Sequence, residues 1–293
     1  MHGAMSRGEK IFHAVNTVFM ILVCAVMLYP VLMVLGRSLM SDIERATHPL
    51  RLFPTKIDWS GYQFILSPNS NIGRGYMVTI ARTVIGTGLS LIVTSLLAYP
   101  LSKKDYPGRK VITALIVFTM WFSGGMIPNF LLIKSLGLMN NFWVFVLPML
   151  VSAYNLIILR NFFMQISESL EEAAKLDGAG DFTIYRCVYL PLSTAAMATI
   201  ALFYAIAHWN SWFDALLYIN DQRLWPMQYI LRQLISSASV SDIATAAAVS
   251  DKTPAAETVK MATIVVSTVP ILCVYPFLQR YFVKGVLVGS VKG

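Results

Sequence analysis

The 293-residue chain is 56% apolar and 13% charged, with a mean hydropathy of +0.63 and a net charge of +8. Soluble domains carry about 25% charged residues, so this composition excludes an ordinary soluble protein and indicates that lipid surrounds most of the chain. The basic residues are scattered between apolar runs, which favours contact with anionic lipid headgroups over nucleic acid.

The cysteines and histidines give no sign of a disulfide framework or a metal site. Cys24 and Cys273 lie in apolar runs and Cys187 in a polar loop, and three cysteines cannot all pair. The four histidines are far apart in the sequence, and the sequence contains no phosphate-binding glycine loop and no nucleophile elbow. We therefore expect no catalytic residue, no bound metal and no bound cofactor in this chain.

Six apolar runs are long enough to cross a membrane, which predicts an all-α integral membrane protein. The first run is too long for the core of a signal peptide and no small-residue cleavage site follows it, so we interpret it as a retained anchor. Gly86 and Gly88 in the second run indicate either close helix packing or simple tolerance of glycine in lipid. The predicted spans are residues 11–35, 77–101, 111–133, 141–163, 194–219 and 260–282.

The loops between these runs predict how the chain is oriented. A short loop at residues 103–110 holds four basic residues and is the clearest positive-inside loop, so we place it in the cytoplasm. Six spans then place both termini on the cytoplasmic side. Residues 38–76 and 220–258 become external loops, the first with little regular structure and the second polar, then rich in Ala and Ser from residue 236.

A polar segment at residues 165–192 separates the fourth and fifth runs. Ser169 and Glu172 have the spacing of a capping box, which predicts the start of a short helix. Gly178 suits the left-handed residue that ends such a helix, and Asp181 would cap a second one. The pattern predicts a small helix-turn-helix whose alanines allow another protein to approach closely.

This segment resembles the coupling loop of bacterial ABC importer permeases. The signature of that loop is E-A-A, three residues, G, nine residues, a branched apolar residue, one residue and L-P. Seven positions match it, with Val in place of the usual Ile: Glu172, Ala173, Ala174, Gly178, Val188, Leu190 and Pro191. The resemblance implies the type I permease fold, a single transmembrane domain over residues 1–293, and docking of the segment on a cytoplasmic ATPase. The residues that it assigns to coupling are Glu171, Glu172, Ala173, Ala174, Asp177, Gly178, Ala179, Leu190 and Pro191.

Two further stretches, residues 203–212 and 281–293, look like the carbohydrate branch of these permeases, the branch typified by maltose permease. That resemblance implies import of oligosaccharides or polysaccharide fragments, and the chain is similar to the smaller permease subunit of an alginate importer. The implied partners are a second permease, two ATPase subunits that hydrolyse ATP with Mg²⁺, and an extracytoplasmic solute-binding protein. The implied location is the bacterial inner membrane. Residues 220–258 would contact the binding protein or serve only as a connector.

The fifth run mixes aromatic and polar side chains, which suits a sugar pathway because aromatic faces stack on sugars and polar groups bond to hydroxyls. Ionisable groups at membrane depth are costly and face a polar cavity or a partner. Helical spacing places Tyr204, His208 and Trp212 on one face, which we predict to be nearer the substrate, and Asn210 and Asp214 on another. The candidate pathway residues are Tyr204, His208, Trp209, Asn210, Trp212, Asn155 and Asn129.

Each of these residues also has a structural interpretation. Trp209 and Trp212 would equally serve as interfacial anchors or as core, and His208 would equally bond to a neighbouring helix. Asp214 is predicted to be structural or solvated. We expect Arg82 to meet headgroups or the partner subunit, and Arg160 to extend to headgroups.

Two other classes of protein compete with this interpretation. An ion-coupled secondary transporter needs intramembrane carboxylates to bind the driving ion, and only the peripheral Asp214 is available. A non-transport membrane scaffold leaves the predicted docking helix unexplained.

Overall fold

The computed structural model describes residues 7–48, 51–67, 71–244 and 257–273, and this part of the chain is helical and contains no strand. The all-α prediction is therefore confirmed for the described residues. The chain divides into two compact units, residues 1–70 with 234–269 and residues 71–233 with 270–293. The α-helices are α1 Arg7–Ser38, α2 Asp42–Thr47, α3 Ser60–Leu66, α4 Asn71–Ser102, α5 Arg109–Trp121, α6 Met126–Ser135, α7 Ala153–Phe163, α8 Glu168–Leu176, α9 Asp181–Ile184, α10 Leu190–Leu192, α11 Thr194–Asn210, α12 Phe213–Tyr218, α13 Met227–Ala244 and α14 257–273.

The first unit contains α1, which exposes its apolar side chains along most of its length. The loop that follows α1 is more ordered than predicted, because α2 and α3 lie within it. Ser41 caps α2 by accepting a hydrogen bond from the Glu44 amide at 3.4 Å. In the same unit Arg45 is buried and donates hydrogen bonds to the Arg37 carbonyl, at 3.2 Å, and to Thr258 of α14.

The second unit is built around α4, a helix of 32 residues that packs against α7 and α11. Most buried residues of α4 are small or polar, whereas Val84 and Ile92 point outward and are exposed. This pattern is the reverse of that in a soluble protein, where a helix buries its apolar side chains. It suits lipid, since small residues let helices approach closely and polar groups find partners between the helices. The facing stripe of α11 is Ala196, Ile200, Tyr204 and His208, spaced every four residues.

Three of the predicted spans are broken rather than continuous. Helices α5 and α6 meet at 114°, across a break in which Gly125 has φ +86°. The fourth run begins as two 3₁₀ turns, Phe142–Phe145 and Leu147–Met149, and bends by 48° into α7. The fifth run is interrupted between α11 and α12, and residues Asp181–Leu192 of the preceding segment meet α11 at 83°.

By length and composition the described part contains two unbroken helices that could cross a membrane, or up to five spans if each bent pair crosses as one. The first two predicted spans correspond to α1 and α4. Residues 260–273 of the sixth predicted span lie in α14, whereas residues 274–282 fall outside the described residues, as does the 281–293 stretch. In the predicted external loop at 220–258, α13 extends helical structure to Ala244, so the first part of the Ala/Ser-rich stretch is not an irregular connector.

Candidate functional site

The coupling segment forms the predicted pair of short helices, with two corrections at their starts. Helix α8 begins after Ser167 rather than Ser169, whose hydroxyl lies 2.7 Å from the Ser167 hydroxyl. Gly180, not Asp181, is the cap residue of α9. The turn is as predicted, because Gly178 has φ +82°, a conformation in which a Cβ is strained.

The inner face of α8 carries a buried carboxylate with three donors. Lys103, just beyond the end of α4, donates to Glu171, and Lys175 lies 2.9 Å from the other carboxylate oxygen. The Tyr189 hydroxyl donates to Glu171 at 2.9 Å and accepts from Lys103 at 3.0 Å. Glu171 therefore ties α8 to α4 and to the π-helical turn Tyr185–Tyr189.

This arrangement holds Glu171 in its ionised form. Burial of the carboxyl raises its pKa, but the hydrogen bonds from Lys103, Lys175 and Tyr189 outweigh burial and lower the pKa of Glu171 to about 2. The carboxylate is thus charged throughout the physiological pH range.

Aromatic rings enclose the Lys103 ammonium, which pairs with Glu171. The Lys103 ammonium lies 4.3 Å from the ring centroid of Tyr99 and 4.2 Å from that of Tyr189. Tyr189 also packs edge-on against Phe163 of α7, at 5.5 Å between centroids. These contacts join the coupling segment to the apolar core formed by α4, α7 and α11.

The outer face of the segment carries exposed large apolar side chains, of which Leu176 and Phe182 are the most exposed. Leu176 is 89% exposed and Phe182 is 67% exposed. Neither residue belongs to the predicted coupling set, in which Glu172, Ala173, Asp177, Gly178 and Pro191 are exposed and Ala174, Ala179 and Leu190 are half-buried. Ala174 and Ala179 pack against the core of this chain, so the segment has an anchored side and an open side.

A second polar cluster lies where α4 faces the end of α11. Arg82 is fully buried, 2.5 Å from Asp214 and 3.1 Å from the carbonyl of Ser211, which ends α11. Its guanidinium also lies 4.4 Å from the ring centroid of Phe145. The prediction that Arg82 meets headgroups or a partner is therefore wrong, and Asp214 is structural, as predicted.

His208 packs against Gly86 one turn along α4. A Cβ on Gly86 would lie 2.5 Å from the His208 Nε2, so only glycine leaves room for the ring. The imidazole is fully buried, and neither of its nitrogens has a hydrogen-bond partner in the described part of the chain. His208 is thus part of a helix contact, and Gly86 is the glycine that allows it.

A cavity of about 590 Å³ lies between α7, α11 and the turn before α7. Tyr154, Phe203 and Asn155 line it, and the rings of Tyr154 and Phe203 have their centroids 6.4 Å apart. Tyr204 also lines the cavity, but its hydroxyl is engaged by the Ser152 amide at 2.9 Å and by Thr94 at 2.7 Å. Aromatic faces beside an amide are the groups that a sugar-binding surface needs.

The structure brings only two of the predicted pathway residues, Asn155 and Tyr204, to this cavity. Asn129 and Asn210 are exposed elsewhere, and Trp209 stacks edge-on against Tyr76 at 6.4 Å. Trp212 lies beyond the end of α11, beneath the guanidinium of Arg232 at 4.8 Å. The predicted shared face of Tyr204, His208 and Trp212 therefore does not form.

Sequence reasoning missed five side chains at these sites. Lys103 was interpreted only as an orientation signal, although its place at the end of α4 pointed to a partner. Leu176 and Phe182 were overlooked because apolar residues in a polar segment look like core. Tyr154 and Phe203 belong to apolar runs in which any aromatic residue fits. In the described residues no cluster of His, Cys, Asp and Glu has the makings of a metal site.

The structure combines apolar helices packed around the polar face of α4, a cavity between α7 and α11, and a coupling segment with one open side. This combination defines a membrane transport component. The chain belongs to the family of binding-protein-dependent transport system inner membrane components, which matches residues 4–288.

Relatives match the chain over nearly its full length. It is 44% identical over 287 residues to the polygalacturonan/rhamnogalacturonan transport system permease protein YtcP of Bacillus subtilis, covering 97% of this chain and 99% of the relative. It is 41% identical over 290 residues to protein LplC of the same organism, covering 98% and 97%. Among solved structures it resembles a chain of a bacterial ABC transporter involved in the import of the acidic polysaccharide alginate, with a TM-score of 0.86, 36% identity and coverage of 96% and 99%.

Proposed function

We propose that the chain is one of two permease subunits of an ATP-driven importer for acidic oligosaccharides or polysaccharide fragments, with polyuronates as the substrate class. Support for an acidic saccharide comes from the relatives, one named for polygalacturonan and rhamnogalacturonan and another taken from an alginate importer. The cavity beside Tyr154, Phe203 and Asn155 supports the sugar part of the proposal, since its rings and amide suit a pyranose.

The assembly would contain a second, similar permease, two cytoplasmic ATPase subunits and an extracytoplasmic binding protein. In it, ATP and Mg²⁺ belong to the ATPases, and this chain is not catalytic. The basic loop, the coupling segment and both termini lie in the cytoplasm, with six spans between them. The single transmembrane domain alternates between outward and inward access as the ATPases close and part.

The two-sided coupling segment is the observation that carries the proposal. Its open side offers Leu176 and Phe182, which a groove on an ATPase would cover. Its anchored side passes movement through Glu171 and Lys103 into α4. Because α4 packs along α11 and α7, a displacement of α8 reaches the helices that line the cavity.

An ion-coupled secondary transporter is the weaker alternative. The carboxylate that it would need, Asp214, is already neutralised by Arg82 at 2.5 Å. The driving ion would have to compete with a buried guanidinium, which leaves such a mechanism without an available site at this position.

The proposal is tested with a matched pair of glycines in the coupling segment. Gly178→Val forces a β-branched residue into φ +82°, whereas Gly180, at φ −75° with open space around it, accepts Val at little cost. In the reconstituted importer we expect Gly178→Val to abolish uptake of labelled oligogalacturonide while ATP hydrolysis continues. Gly180→Val serves as the control and retains coupled uptake.

Co-purification provides the second arm of this test. Glu172→Trp, on the open side, should weaken capture of the ATPase subunits by the tagged permease. Retention of ATPase and of coupled uptake in both Gly178→Val and Glu172→Trp would refute the proposed role of the segment. Uptake that is driven by an ion gradient without ATP would refute the importer itself.

A further inference from the structure

A second cavity, of about 520 Å³, lies between the start of α5 and the end of α7, away from the saccharide cavity. We call it the basic pocket; it is lined by Arg109, Lys110, Thr113, Ala114, Val117, Phe118 and Arg160. Three of these seven residues are cationic, and the rest are small or apolar. No function described above uses this pocket.

The two arginines are held in place by backbone carbonyls near the end of α4. The Arg160 Nε donates to the Leu101 carbonyl at 2.8 Å, and an Arg109 terminal nitrogen donates to the Lys103 carbonyl at 3.0 Å. Both side chains are half-buried. Each guanidinium therefore has a fixed position and further N–H groups available to a ligand.

The positive charge of the pocket is not balanced within the described part of the chain. The ion pairs found there engage Lys103, Lys104 and Lys175 of the neighbouring elements, and none engages Arg109, Lys110 or Arg160. Two fixed guanidiniums beside an ammonium are the donor set that binds phosphate, because arginine pairs with phosphate oxygens in a planar, bidentate geometry.

The pocket also has an apolar side. Val117 and Phe118 lie about two helical turns along α5 from Arg109 and are exposed. A ligand that fills the pocket would have its anion at the start of α5 and an apolar chain along the helix towards the membrane centre. A lipid has that shape, whereas a free phosphate leaves Val117 and Phe118 uncovered.

The position of Arg160 on α7 argues against a saccharide as the occupant. Asn155 and Tyr154 face the saccharide cavity, and Arg160 lies about 140° and 120° around the helix axis from them. The two cavities are therefore on different sides of α7.

We propose that the basic pocket binds the phosphate of an anionic phospholipid, with phosphatidylglycerol as the probe, and its acyl chain along Val117 and Phe118. The pocket lies at the end of α4 that carries the coupling segment, since Lys103 also contacts Glu171. The choice of leaflet therefore rests on the cytoplasmic orientation proposed above, although binding itself does not. Basic pockets between transmembrane helices at the cytoplasmic side suit anionic headgroups.

Native mass spectrometry of the full-length chain in a neutral detergent tests this proposal. Phosphatidylglycerol and phosphatidylcholine with the same acyl chains are titrated separately against the wild-type chain. We expect phosphatidylglycerol to bind more tightly, and Arg109→Gln/Arg160→Gln to weaken that binding about tenfold or more, since each basic residue adds to anionic lipid affinity.

The control variant removes two positive charges that lie outside the basic pocket. Lys56→Gln/Lys134→Gln changes two exposed lysines outside the pocket and should leave the affinity within about twofold of wild type. Arg109→Lys/Arg160→Lys keeps the charge but loses the planar donor geometry, and should bind with intermediate affinity. This third variant also answers the concern that the glutamine variant is misfolded.

Three results would overturn the proposal. Equal loss of affinity in the pocket and control variants would mean that only net charge matters. Displacement of bound phosphatidylglycerol by an equal concentration of inorganic phosphate would make the pocket a site for a free anion. Absence of bound lipid at this pocket in the assembled importer would mean that another subunit covers it. ATP-driven uptake is measured in a different assay from lipid binding, so a failure of this proposal does not count against the proposed function.

Discussion

At the scale of single residues, Glu171 and Glu172 show how neighbours in one motif take different roles. The side chain of Glu172 is exposed on the open side of α8, whereas Glu171 is buried and accepts hydrogen bonds from Lys103, Lys175 and Tyr189. Removing one partner of a buried pair leaves an uncompensated charge and costs more than the pair itself contributes. Loss of the Glu171 charge should therefore destabilise the protein more than loss of the charge of an exposed glutamate.

We predict that Glu171→Gln lowers the amount of sugar imported per ATP hydrolysed, because the link from α8 to α4 loses its charge. Uptake and ATP hydrolysis are measured on the same proteoliposomes. The matched control is Glu168→Gln, since Glu168 joins the same two elements through Lys104 at 2.6 Å but both side chains are mostly exposed. Equal ratios of uptake to hydrolysis in the two variants would contradict a linking role for Glu171.

The pH dependence of stability provides an independent signature of the same pair. The pKa of Glu171 is lowered from 4.5 to about 2, so its contribution to stability is fully present above pH 4.5 and is lost as the pH falls towards 2. The difference in unfolding temperature between wild type and Glu171→Gln should be constant from pH 8 to about pH 5 and shrink below about pH 4.5. A difference that instead disappears near neutrality would mean that the carboxyl is not held by these donors.

At the scale of helices, hydropathy predicted which runs form long apolar helices but not where those helices break. The outlines of α1 and α4 follow directly from long apolar runs, because lipid requires internal hydrogen bonding over the whole span. The break between α11 and α12 was not predicted, because no glycine or proline marks it in the sequence. It is stabilised by Arg82, which binds the carbonyl of Ser211 from 129 residues away. Short-range patterns carry no information about such a partner.

The contact between α4 and α11 gives a prediction with its control on the same helix. Gly86→Ala places a methyl group 2.5 Å from the His208 Nε2, whereas Gly88 has open space at its Cβ. We expect Gly86→Ala to lower the free energy of unfolding by about 1–3 kcal/mol through overpacking. Gly88→Ala should be neutral or stabilising by up to about 1 kcal/mol, since alanine is the better helix former.

Unfolding in mixed detergent micelles measures both glycine variants. Gly86→Ala/His208→Ala provides the internal check, because removal of the ring relieves the clash and should recover part of the loss. Similar stabilities for Gly86→Ala and Gly88→Ala would show that the two helices do not approach as closely as the structure has them.

At the scale of the whole molecule, the candidate pathway lies between helices rather than along one helix face. Helical spacing predicted one shared face for Tyr204, His208 and Trp212. In the structure α11 ends at Asn210, before Trp212, and both Tyr204 and His208 are buried. The cavity is lined by Tyr154 from α7 and Phe203 from α11, beside Tyr204, whose hydroxyl is already engaged. Which helices face each other depends on the packing of the whole bundle, so spacing along a single run could not identify this pair.

We predict that Tyr154→Ala and Phe203→Ala each raise the oligogalacturonide concentration for half-maximal uptake by about two- to tenfold, the range expected for losing one aromatic contact. Trp121→Ala removes an exposed aromatic side chain that does not line the cavity, and should leave that concentration unchanged. Uptake is measured in proteoliposomes with neutral and acidic oligosaccharides. Unaltered half-saturation in both cavity variants would exclude this cavity from the pathway.

The buried pair of Arg82 and Asp214 also constrains how the protein is made. The two residues are 132 positions apart, so at about 5–20 residues per second the ribosome releases the aspartate on the order of ten seconds after the arginine. During that interval an unpaired guanidinium in α4 carries an insertion cost of about 2.5–3.5 kcal/mol. Pairing with Asp214 would therefore remove a cost that α4 carries for as long as it is inserted without its partner.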